Sequence, residues 1–175
     1  MATGQSRATF GPLVLAALAT LVFSATPAAS ADPPVRVPCG VLNQLRDTLD
    51  NSVSAGIAGV RTVITSPYLS GGQQNRDAES NLVLASHGVH ALQDINGGDI
   101  VPGLAPLLDN LNRATDDMSQ AVEALFQPTW GGLDYGSGIS LAWPQPATWT
   151  VIDYADQKKN DVYALVNSYQ GNCAP

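Results

Sequence analysis

The chain has 175 residues, a formal net charge of −7, two histidines and two cysteines. Its length suits one domain with a real core and is too short for two. So acidic a chain repels nucleic acid and anionic membrane surfaces, and its few basic residues are scattered, so no nucleic-acid partner is expected.

Arg7 precedes an uncharged apolar run from Gly11 to Ala25, and Ala29-Ser30-Ala31 comes before the first acid, Asp32. A basic start, a short apolar stretch and an A-x-A site together read as a Sec-type signal peptide over residues 1–31, followed by a single secreted helical domain over 32–175. An uncleaved anchor is the alternative, but Pro27 and its small neighbours interrupt the run short of a full span. Cys39 lies well past that run, which disfavours a lipoprotein, and no later stretch is apolar for long enough to cross a bilayer. The mature protein is therefore expected outside the cell or in its envelope, without an integral membrane segment. In an oxidising compartment Cys39 and Cys173 are expected to form one disulfide. Closing so long a loop is worth at most about 4–5 kcal/mol in the chain-entropy picture. The alternatives are two free thiols or a pair of metal ligands, with no histidine near either cysteine in sequence.

Residues 32–38 are too rich in proline for helix and read as an extended lead-in. Leu42, Leu45, Leu49, Val53, Ile57, Val60 and Ile64 then recur every three or four residues and predict a first helix. It should stop at Thr65 or Ser66, because Pro67 disfavours helical geometry before it. Gly56 and Gly59, with Ser52, Ala55 and Ala58, form a small-residue patch where another helix backbone can come close. A polar turn leads to Asp77, a candidate N-cap for a second helix whose apolar line is Leu82, Ala85, Val89 and Leu92. Asn96-Gly97-Gly98 should end it.

The stretch from Val101 to Leu125 carries the most regular pattern. Val101, Leu104, Leu108, Leu111, Met118, Val122 and Leu125 alternate spacings of three and four, with Thr115 filling the one gap. Asp109, Asn112, Arg113, Asp116, Asp117, Gln120 and Glu123 form the polar opposite face. Pro106 suggests that the regular helix starts at Ala105 or Pro106, after a short turn. So narrow a stripe needs other helices to cover it. Residues 127–148 change character: Gly131, Gly132, Gly136 and Gly138 punctuate them, and Pro144 and Pro146 argue against helix. Ile139 to Trp143 alternates enough for a short extended piece without committing to a sheet. A last helix runs from about Thr150 to Tyr169, with Val151, Ala155, Val162, Val166 and Tyr169 on one face, and stops at Gly171. The expected fold is all-α: an up-down-up-down four-helix bundle with a long Gly/Pro/Trp-rich loop between the third and fourth helices and one terminal disulfide.

Two constellations could carry function. His87 and His90 are three apart and Asp94 lies four further on, so all three can project from one helix face and ligate a divalent metal, or one histidine could ligate haem iron. A closed site would draw further ligands from residues such as Tyr68, Glu79 or Met118. The plainer alternative is a pair of histidines bonded only locally. The second constellation is Trp130, Tyr135, Trp143 and Trp149, with Tyr154 nearby, which could form a stacking platform for a glycan or the wall of an apolar pocket, or could fold back to cap the bundle.

Other patterns fail on spacing. Asp94 to Asp99 lacks the central glycine and terminal acid of a calcium loop, and Ser86 cannot pair with the adjacent His87 on a helix surface. No enzyme is therefore expected. The reading is a secreted or envelope-associated, non-catalytic helical binding protein without a cofactor, whose partner is a protein, a glycan or a small apolar ligand. The alternative is a haem or divalent-metal carrier using His87 and His90.

Overall fold

Each apolar line of the sequence becomes the buried face of a helix in the computed structural model, which describes residues 36–66, 71–128, 139–141, 144 and 146–175. The first helical run is unbroken but has three parts: α1 (Cys39–Thr48), a π-helical segment (Leu49–Ser54) and α2 (Ala55–Ile64). Next come α3 (Gly71–Ile95), α4 (Leu104–Glu123) and α5 (Pro146–Gln170). Counting the first run once, the described residues form four helices, all within the compact unit Val35–Pro175. Two short strands, β1 (Phe126–Pro128) and β2 (Ile139–Leu141), pair antiparallel with Phe126 opposite Leu141. Among the described residues no helix is long and apolar enough to cross a membrane.

The α4 seam is buried along its whole length, from Val101 and Leu104 through Met118 and Val122 to Leu125. Thr115, the one polar residue in it, is buried as well and donates its hydroxyl to the Asn112 carbonyl at 2.8 Å, so its burial leaves no donor unsatisfied. With this stripe α4 packs against both α3 and α5. Pro106 sits in the first turn of α4, where its missing N–H costs no helical hydrogen bond. A turn before it, with Gly103 at φ 79°, leads into the helix at Leu104.

The first helical run solves a different geometric problem. Its buried residues Leu45, Leu49, Val53 and Ile57 follow one another at steps of four. In an α-helix each such step overshoots a full turn by about 40°, so three in succession turn the line by about 120°, from one edge of an amphipathic stripe to the other. The π-helical turn at Leu49–Ser54 absorbs that rotation by adding residues to the turn, and the line stays on one face. The same stretch meets α3 closely. A Cβ on Gly56 would lie 2.6 Å from the Asn81 carbonyl oxygen and 2.7 Å from the Ala85 nitrogen. From the opposite side, a Cβ on Gly88 would lie 2.7 Å from Ser52 Cβ. The small-residue patch is thus the crossing point of the first run with α3.

Two helix starts and one extended piece depart from the expectations drawn from the sequence. Helix α3 begins at Gly71, before Asp77, because buried Gln74 donates to the carbonyls of Val63 (3.1 Å) and Ser66 (2.8 Å) and draws this weak helix-forming turn against the end of α2. Helix α5 begins at Pro146, since proline is excluded from helix interiors but tolerated in the first turn. The extended piece at Ile139 finds a partner in Phe126–Pro128 and forms a short ladder.

The first and last described residues meet beside α1. Cys39 and Cys173 are disulfide-bonded, with Cα atoms 5.0 Å apart. The Cys39 N–H donates to the Ala174 carbonyl at 2.8 Å, and the Ala174 N–H donates to the Val37 carbonyl at 2.9 Å. Replacing Gly56 by Ala should cost about 1–3 kcal/mol, because backbone atoms of α3 cannot move aside. Gly40→Ala has open space around it and should be neutral or slightly stabilising. Urea unfolding of the two variants checks the contrast; equal effects would remove the close crossing.

Candidate functional site

The first turns of α3 and the last turn of α4 lie side by side, because Gln74 anchors α3 at its start and the α4 seam runs on past its last helical turn to Leu125. The next residue, Phe126, is half-buried against the core and begins β1, while β2 packs against α3. Helices α3 and α4 and the first residue of β1 line an open groove of about 150 Å³. Ala78 and Leu82 from α3, Val122 from α4 and Phe126 from β1 supply its apolar surface. Asn75 and Glu79 stand on the α3 side and Glu123 on the α4 side. Both glutamates are exposed, and among the described residues neither forms an ion pair.

The basic side chains that do form ion pairs lie elsewhere. Arg61 contacts Asp153 at 2.7 Å across the first run and α5, while Lys158–Asp161 and Lys159–Asp156 are local pairs on α5. The hydrogen bond to Asp161 raises the Lys158 ammonium above the usual lysine range. Tyr163 donates its hydroxyl to Asp50 in the π-helical segment, a second polar tie between the first run and α5.

A second groove, of about 300 Å³, lies near the opposite ends of α3 and α4, lined by Gln93, Asn96, Asp99, Leu108 and Asp109 with the two intervening glycines and Ala105. Its buried polar group is already occupied: the Asn96 side-chain oxygen accepts the Val101 N–H at 2.9 Å and shapes the turn into α4. This groove is a by-product of that turn.

His87, His90 and Asp94 are all exposed on α3. His90 Nδ1 lies 3.3 Å from Gln93 Oε1, one turn along the same helix. Among the described residues no three His, Cys, Asp or Glu side chains converge in an arrangement that could hold a metal. Of the further ligands considered, Met118 is buried in the α4 seam, Glu79 lies about two turns back along α3, and Tyr68 falls outside the described residues. Trp149 is half-buried against the core near the start of α5. Tyr154 is exposed, with the Lys158 ammonium 5.1 Å from its ring centroid. Trp130, Tyr135 and Trp143 lie outside the described residues.

Of the groove residues, the sequence marked Glu79 only as a possible further metal ligand and Glu123 only as part of a polar helix face, and it did not mark Asn75 or Phe126. Each lies on an ordinary helix face or loop edge, and only the register of α3 against α4 brings them together. Compared with protein-family models, with curated proteins and with solved structures, the chain matches none. Since both histidines face solvent, His87→Ala combined with His90→Ala should change unfolding free energy by no more than about 0.5 kcal/mol. Urea denaturation measures it, and a loss of several kcal/mol would reveal a structural role.

Proposed function

We propose that this chain is a secreted or cell-envelope protein that acts by binding and not by catalysis. Its binding end is the end of the bundle at which β1 and β2 pair. One observation carries this reading: the two strands hold both stems of the connection bearing Trp130 and Tyr135 beside the open α3–α4 groove, and Trp143 follows two residues after β2 in sequence. Aromatic side chains on such a connection offer large contact area at low entropic cost, which suits recognition of a protein, a glycan or a small apolar ligand. The leader-like residues 1–31 and the paired cysteines fit export to an oxidising compartment.

The same reading takes the topology as up-down-up-down. Its support lies in the pairs between helices: Cys39 with Cys173, Asp50 with Tyr163 and Arg61 with Asp153 run in opposite directions along the first run and α5. Ser52 opposite Gly88, Gly56 opposite Ala85 and Val63 bonded to Gln74 do the same for the first run and α3. The Cys39–Cys173 bridge then lies at one end of the bundle and the paired strands β1 and β2 at the other.

Native mass spectrometry of the protein purified from its own source should reveal a retained partner or ligand. Trp130→Ala with Trp143→Ala should abolish that retention while the helical circular dichroism persists. Unchanged retention would overturn the reading.

A further inference from the structure

We infer that the α3–α4 groove receives the side chain of a lysine presented by a partner protein. The inference rests on the reading of this end as the binding end and names the chemistry recognised there. A groove of about 150 Å³ has room for about five groups of the size of a water molecule. The four methylenes and the ammonium of lysine match that size. Ala78, Leu82, Val122 and Phe126 give the methylenes an apolar bed. Glu79 and Glu123, on separate helices, then offer the ammonium two negative partners.

Charge selects the occupant. Among the described residues no basic side chain lines the groove, and Glu79 and Glu123 have no ion-pair partner. A neutral apolar chain would fill the bed and leave both carboxylates unused, and an acidic one would be repelled. Lysine fits better than arginine. Its compact head has three donors that can be shared between acceptors on two walls, whereas the planar guanidinium is longer and favours one bidentate carboxylate. The groove is open, so a free alkylamine would leave much of itself in water. A side chain delivered by a partner is sealed in by the interface around it, as buried anchors at protein interfaces are.

The test uses the ¹⁵N-labelled mature protein and three blocked peptides: Gly-Lys-Gly, Gly-norleucine-Gly and Gly-acetyllysine-Gly. Gly-Lys-Gly should shift the amides of residues 75–82 and 122–126, with a Kd of about 1–10 mM, the range open to so small an anchor. The other two peptides should bind at least about tenfold more weakly, and Glu79→Gln with Glu123→Gln should weaken the lysine peptide about tenfold, as loss of a charged contact does. Both glutamates are exposed, so the double variant keeps its fold, and its amide spectrum verifies this. Equal responses to the three peptides, shifts confined to other residues, an unchanged affinity in the double variant, or no shift at about ten times the expected Kd would each overturn the inference. If lysine fails while the Trp130/Trp143 variant still loses its partner, only the lysine assignment falls. If lysine binds and the Trp variant retains its partner, the groove stands and the aromatic reading falls.

Discussion

The two ends of the folded chain are held together twice, by the Cys39–Cys173 bridge and by the hydrogen bonds that Ala174 makes to Val37 and Cys39. The cysteines are 134 residues apart in sequence, so the cross-link removes a large share of the freedom of the unfolded chain, about 5 kcal/mol in the chain-entropy model. That matters because the other described polar ties between the first helical run and α5 are Arg61–Asp153 and Tyr163–Asp50. Exposed pairs of this kind contribute about 0–1 kcal/mol each. The seam that closes the bundle therefore leans on the covalent tie and on buried contacts around Leu42, Leu45 and Val166. The other seams are mainly apolar, with buried Thr115 and Gln74 as polar members, or, as at Gly56 and Gly88, bring backbones into near contact.

Much of this architecture can be read from residue spacing. The α4 pattern alternates three and four without a slip, so a straight α-helix keeps it on one face, and every member is buried. The proline before residue 68 and the small-residue patch place the end and the crossing of the first run for equally local reasons. The π-helical segment was not legible: the spacings of three and four from Leu42 to Ile64 fit one ordinary α-helix, and the extra residues in the turn at Leu49–Ser54 appear only in the structure. The start of α3 was hidden because it depends on Gln74 reaching carbonyls in another helix, and propensity at Gly71-Gly72 points the other way.

The candidate site was much less legible than the fold. Histidines attract attention in a sequence because of their chemistry, yet His87 and His90 lie on the solvent side of α3. Glu79 and Glu123 look like ordinary surface acids until α3 and α4 are set side by side, when they stand across an apolar bed. A groove is a property of two elements in register, and no periodicity within either one encodes it. The aromatic connection was visible from its composition, and the β1–β2 ladder adds where its stems are fixed.

Closure of the helical unit at its termini is tested most directly by peptide mapping under non-reducing conditions after thiol blocking. The expected result is a single cross-linked fragment joining Cys39 to Cys173, together with a loss of up to about 5 kcal/mol of unfolding free energy on reduction. Two alkylated thiols in the untreated protein, or a bridge between separate chains, would contradict it.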